Sequence, residues 1–215
     1  MTIFYTLLLP WLSVSVLAQI ASHGSCPAVA SMPEFDISQF LGRWFEMEQY
    51  FVPTANHIQC VTYDWAINEN GTAIRVETVL SLLTGIGVTT LGVMKVPDST
   101  EPGRMRQKYI WSPLEADYLI LDTDYNSYAV GYNCINMNSM HYKFAWILTR
   151  DENPSDSVMA NVADIIAKYK LNRSNFTKTR HDDCERRRNE LYPSNSVTWE
   201  FIGVILNVLI SLLSE

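Results

Sequence analysis

The sequence has no CxxC pair, no GxSxG motif, no phosphate-binding glycine loop, no internal repeat and no low-complexity linker. Each absence removes a class. Without a CxxC pair, the four cysteines Cys26, Cys60, Cys134 and Cys184 do not read as a zinc site. Without the serine elbow or the phosphate loop, hydrolase and nucleotide chemistry have no anchor. A basic stripe is missing too: the net charge is −7, and the run Arg186-Arg187-Arg188 follows Asp182, Asp183 and Glu185, which cancel its field. Nucleic acid is therefore not the partner. The histidines His23, His57, His141 and His181 are scattered, with no carboxylate at metal-site spacing. His57 and His141 fall where they could touch a ligand, although an ordinary surface histidine is the simpler reading. Glu46 and Glu48 alternate on one strand, which suits a wet face or a polar pocket floor better than an acid–base pair. No nucleophile is assembled anywhere, and the chain reads as a binding protein, not an enzyme.

What is present is apolar. Hydrophobic residues make up 47% of the 215 and aromatic residues 12%, enough for a real core. From Ile3 to Leu17 the chain is nearly all apolar, and Val16-Leu17-Ala18 supplies the small residues of a cleavage site. Residues 1–18 thus read as a signal peptide, too short to span a membrane and lacking the usual lysine or arginine before it. Secretion favours two disulfides among the four cysteines. The sequons at Asn70, Asn172 and Asn175 favour a glycoprotein.

Short strands separated by turn-formers are expected at about 43–51, 60–67, 72–81, 87–95, 105–111, 117–122, 127–135 and 141–149. Asn70-Gly71 between two alternating runs is a hairpin signal. Pro154-Ser155-Asp156 starts a helix on which Val158, Val162, Ile165, Ile166 and Tyr169 share one face. The expected fold is all-β: an eight-stranded antiparallel up-and-down barrel with one C-terminal helix packed outside. Closure removes exposed edges, and a barrel of about eight strands has room for one small ligand.

Three motifs go further. Gly42-Arg43-Trp44 opens the first strand after the turn Phe35–Phe40, Thr123-Asp124-Tyr125 lies between the sixth and seventh, and Arg150 follows the eighth. Together with the four cysteines they resemble the lipocalin family over about residues 24–190, within it the group of apolipoprotein D, Lazarillo and the insect bilin-binding proteins. The resemblance implies that Arg150 lies over the Trp44 ring at the closed end. It makes Gly42, Trp44, Thr123, Asp124, Tyr125 and Arg150 a structural plug and not ligand contacts. If Arg150 points inward, alternation puts Leu148, Trp146 and Phe144 on the same face. Alignment with the family adds Trp65, Tyr63 and Thr78 to the lining, and Trp111 lies where the fifth strand reaches the open end. These rings either fill the barrel or line a pocket; the family keeps a pocket. The disulfides implied are Cys26 with Cys134 and Cys60 with Cys184. That pairing leaves no thiol of the kind a prostaglandin-isomerising relative uses.

The implied ligand is a small hydrophobic molecule, a fatty acid, retinoid, sterol or bilin, and no cofactor is called for beyond a bilin or retinoid held as cargo. The loop Leu80–Val88 is unusually apolar and suits a membrane contact or a lid. Met137 and Met140 are oxidisable, in keeping with the lipid-protecting role attributed to the group. The expected domains are a lipocalin domain at 19–193 and a hydrophobic tail at 194–215. Phe201 to Leu213 is too short to cross roughly 30 Å of hydrocarbon as a helix. It reads as a GPI-anchor signal attached at Ser194, Asn195 or Ser196, or as a terminal helix packed on the barrel or on a partner. The protein is expected outside the cell, free or anchored as a Lazarillo-type adhesion or guidance protein.

Overall fold

The computed structural model describes residues 21–50, 57–68, 70–110, 115–184 and 186. The signal segment, Trp111 and the tail with Ser194, Asn195 and Ser196 lie outside the described residues.

The chain begins with a short strand β1 (Ala21–His23) and a single helical turn α1 (Ile37–Phe40). Asp36 caps that turn by accepting from the Ser38 amide at 2.9 Å. Eight strands follow: β2 (Gly42–Tyr50), β3 (Ile58–Ile67), β4 (Ala73–Ser81), β5 (Gly87–Lys95), β6 (Arg104–Tyr109), β7 (Glu115–Thr123), β8 (Tyr128–Met137) and β9 (Met140–Thr149). Helix α2 (Asp156–Lys168) and a short strand β10 (Phe176–Lys178) complete the order. Each strand from β2 to β9 pairs antiparallel with the next, and β9 returns to β2, closing the sheet into a barrel.

Alternation then sorts the side chains into two cores. Inside the barrel sit Phe40, Trp44, Tyr63, Trp65, Met94 and Tyr118 among others. Outside, Leu119, Leu121, Val130 and Ile147 meet Val162 and Ile166 of α2. The helix starts at Ser155, whose side chain accepts from the Val158 amide, and the helical face anticipated from spacing is the one that packs.

Two features were not visible in the sequence pattern. The strands β1 and β10 are only three residues each, below the length at which alternation speaks. β10 matters because it continues an edge of β2: that edge pairs with β3 through Gly42 to Phe45 and with β10 through Glu48 to Tyr50. The C-terminal segment thus occupies the seam where β2 and β3 part. Cys60 on β3 ties to it twice, by the disulfide to Cys184 and by its amide donating to the Arg180 carbonyl at 2.8 Å. The second disulfide, Cys26–Cys134, holds the N-terminal segment to β8.

Candidate functional site

The closed end is built around Trp44, which has no exposed surface. Its indole N–H donates to the Phe40 carbonyl at 2.9 Å, and the Arg150 guanidinium lies 3.7 Å over its ring centroid. The same guanidinium donates to the carbonyls of Tyr125 (3.0 Å), Arg43 (2.8 Å), Phe40 (3.3 Å) and Gln39 (3.4 Å). Gly42 holds φ at +94°, and a side-chain carbon there would sit 3.4 Å from Arg150 Nη1. Asp124 accepts from the amides of Asn126, Ser127 and Tyr128 and folds the β7–β8 turn. Thr123 Oγ1 receives the Tyr125 amide, and the Tyr125 hydroxyl receives the Asp36 amide. These six residues act on one another, on backbone and on the side chains of Phe35, Phe40 and Ser127.

Register defines the inner face, because cross-strand partners point to the same side. Trp44 is opposite Tyr63, Tyr63 opposite Glu77, Trp65 opposite Arg75, Arg75 opposite Gly92 and Gly92 opposite Tyr109. On the other wall Gly131 faces Trp146, and Phe144 stacks beside Trp146 with centroids 6.3 Å apart. Tyr63, Trp65, Phe144 and Trp146 therefore all face inward. Thr78 does not. Its partners are Thr62 and Thr89, and its hydroxyl lies 3.5 Å from that of Thr89 on the outer surface. Glu77 and Val79 take the inward positions on either side of it.

The residue that sequence reasoning missed is Arg75. Strand β4 carries Ile74, Val76, Thr78 and Leu80 on one face, and that apolar set invites an inward assignment. The structure turns it outward, where Leu80 packs on the Cys60–Cys184 disulfide. The hairpin at Asn70-Gly71 was the available signal: Ile67 opposite Ala73 places Trp65 opposite Arg75. Arg75 is 3% exposed. It donates to the Tyr109 hydroxyl at 2.5 Å, lies 4.9 Å from the ring centroids of both Tyr63 and Tyr118, and has the Glu77 carboxylate at 3.6 Å. Burial pushes the Tyr118 phenol up to about 12 and the Tyr63 phenol well above its ordinary value, so both stay neutral. Gly131 makes the room: a side-chain carbon there would meet the Tyr118 hydroxyl at 2.7 Å.

The two β2 carboxylates also depart from simple alternation. A bulge between Glu46 and Glu48 sends them to opposite faces. Glu48 points out to Arg173. Glu46 points in, 1% exposed, and accepts from Tyr63 and from Thr179 of the seam segment at 2.6 Å each. Burial pushes its carboxyl up to about 7, against hydrogen bonds from Thr179 and Tyr63 that favour the anion.

The remaining candidates separate quickly. His141 faces outward and shares a hydrogen bond with the Gly24 carbonyl, clasping the N-terminal segment. Glu152, His181 and Cys184 lie close together, but the Cys184 sulfur is already bonded to Cys60. Asn70 and Asn172 are exposed, whereas Asn175 is buried at 7% exposure. At the barrel mouth Leu83, Ile86 and Met137 are exposed at 73%, 58% and 57%.

This combination of an arginine-capped tryptophan floor and an aromatic inner wall can be set beside known proteins. The model of the lipocalin / cytosolic fatty-acid binding protein family matches residues 41–183. The chain belongs to that family. Apolipoprotein D of Macaca fascicularis is 26% identical over 165 residues, covering 75% of this lipocalin and 85% of the relative. The Lazarillo protein of Schistocerca americana is 24% identical, covering 78% and 79%. The solved structure of insecticyanin from the tobacco hornworm Manduca sexta superposes with a TM-score of 0.68 at 24% identity, covering 77% of this chain and 90% of that one.

Two outcomes are expected. Arg150→Ala removes the cation over Trp44 and its hydrogen bonds to four backbone carbonyls, of which that of Phe40 keeps the Trp44 indole as donor, so it should cost roughly 2–4 kcal/mol in denaturant unfolding. The Kd for any ligand of the barrel should stay within about twofold, since Arg150 does not line the mouth; lost binding at an unchanged melting temperature would reverse the assignment. Glu46 sets a pH dependence. Its folded pKa is raised from 4.5 to about 7, so its contribution is fully present below the lower value and is lost as pH rises through the higher. Melting temperature should therefore fall between pH 5 and 7.5, with Glu46→Gln removing much of that slope.

Proposed function

We propose that this lipocalin is an extracellular carrier that holds a small hydrophobic ligand in the mouth half of its barrel. One observation supports this most directly. Phe144, Trp146, Val79 and Glu77 point into a closed barrel, yet each keeps solvent-accessible surface. A filled interior would bury them, and this residual exposure supports open space beside them. An aromatic wall with a few polar groups suits a planar or chain-like apolar molecule such as a fatty acid, retinoid, sterol or bilin. The two disulfides fit an oxidising compartment, and the signal-like N-terminus supports secretion. The Lazarillo likeness and the apolar tail Phe201–Glu215 support a form held at the outer cell surface by a lipid anchor. The rim supports the same setting, because no charged residue occurs between Thr78 and Met94, and Leu83 and Ile86 stand out into solvent.

Titration with retinol, palmitic acid, cholesterol and biliverdin, followed by tryptophan fluorescence, tests the carrier reading. At least one should saturate the wild type, and Trp146→Ala should weaken that ligand by about tenfold with the fold retained, as loss of a large aromatic contact implies. Saturable binding that ignores the substitution would remove Trp146 from the site. For the anchor, a phosphatidylinositol-specific phospholipase applied to intact cells should release the protein into the medium. Soluble protein still carrying Phe201 to Glu215 would rule the anchor out.

A further inference from the structure

Two buried donors on the inner wall, Arg75 Nε and Trp65 Nε1, have no hydrogen-bond partner among the described residues. Their residues are 3% and 2% exposed. They are direct register partners on β4 and β3 and so share the inner face. Both also lie against one ring: the Trp65 and Tyr118 centroids are 5.9 Å apart, and the Arg75 guanidinium carbon is 4.9 Å from the Tyr118 centroid. A buried N–H without an acceptor is costly, on the order of 1–3 kcal/mol. Two such donors on residues paired across β3 and β4 on the inner face point to an acceptor atom brought by the ligand.

Charge narrows what that acceptor is. Arg75 already has the Glu77 carboxylate as its counter-ion at 3.6 Å, and Glu46 stands on the same inner face. The neighbouring hydroxyls of Tyr63, Tyr109 and Tyr118 carry no positive charge. An incoming carboxylate would add a second anion beside Glu77 without a second cation, and like charges at low dielectric repel strongly. An uncharged carbonyl oxygen accepts from both donors and leaves the Arg75–Glu77 balance intact.

We propose that Arg75 and Trp65 form a polar subsite that selects hydrophobic ligands ending in an uncharged carbonyl oxygen, such as an aldehyde, ketone, ester or lactam, over the corresponding acid or hydrocarbon. This rests on the carrier reading and adds a chemical preference to it. No covalent step is involved; the donors remain protonated and the oxygen accepts. Selectivity of this origin is strong because the site rejects an analogue that leaves its buried donors unpaired.

Three probes with one polyene skeleton test it: retinal, retinoic acid and the parent hydrocarbon axerophthene, titrated at pH 8 by tryptophan quenching. Retinal should bind about tenfold more tightly than either of the others, as one unmade buried hydrogen bond implies. Trp65→Phe removes the indole N–H while keeping a ring, and Arg75→Met removes the cation at similar length. Each should lower retinal affinity several-fold and leave axerophthene within about twofold of its wild-type value, which collapses the preference. Trp65→Phe leaves the ion pair in place, so it carries the test if Arg75→Met fails to fold. Equal binding of retinal and axerophthene to the wild type overturns the proposal while leaving the carrier reading standing. Tighter binding of retinoic acid than of retinal overturns it in favour of a carboxylate site. A preference that survives Trp65→Phe overturns the role of the indole. If none of the three binds, and retinol, palmitic acid, cholesterol and biliverdin fail as well, the carrier reading falls together with the subsite.

Discussion

The Arg150 guanidinium over the Trp44 ring is the contact on which the rest of the structure depends. It is worth about 1–2 kcal/mol as a cation–π pair alone, but its importance is positional. Trp44 opens the first barrel strand and Arg150 follows the last, so the contact joins the two ends of an eight-stranded meander. The carbonyls that Arg150 collects belong to the α1 turn, to the start of β2 and to the β7–β8 turn. One side chain thereby registers three chain segments far apart in sequence. Sealing this end leaves the barrel one mouth.

Above the plug the interior is less oily than a family of apolar carriers suggests. Arg75, Glu77 and Glu46 share it with Tyr63, Tyr109 and Tyr118, and each charged group has partners within the barrel. Groups of this kind are costly to bury and specify geometry when satisfied. The aromatic rings do two things at once. They form a flat apolar wall, and they shield the guanidinium from water. The seam segment takes part as well, since Thr179 bonds the buried Glu46 from outside the meander. A segment that looks like a trailing end in the sequence is part of the wall.

The C-terminal half of the barrel was easier to read than the N-terminal half, for a physical reason. In β9 the inward set Phe144, Trp146 and Leu148 follows from one anchor, Arg150, by simple alternation. In β4 the outward face is apolar because the disulfide-tied segment covers part of it, so hydrophobicity misleads about direction, and the family alignment that put Thr78 inside carried no record of the register. In β2 a bulge breaks the period of two, so Glu46 and Glu48 part company. The sequon at Asn175 is readable as a motif, but only packing shows that its side chain is buried.

Composition, spacing and three short motifs determined that this chain makes a closed eight-stranded barrel with an outer helix, stapled by two disulfides and plugged by a tryptophan and an arginine. The strands and the helix are periodic features that local chemistry dictates, whereas the plug and the disulfide pairing were legible only through the family resemblance, because they join residues far apart in sequence. The tertiary structure alone decided that a guanidinium sits inside the barrel, that β10 lies in the seam between β2 and β3, and that two buried donors belong to paired residues of the inner wall. Each of these depends on which strand lies opposite which and where a bulge shifts the register, and a period-two pattern carries no record of either.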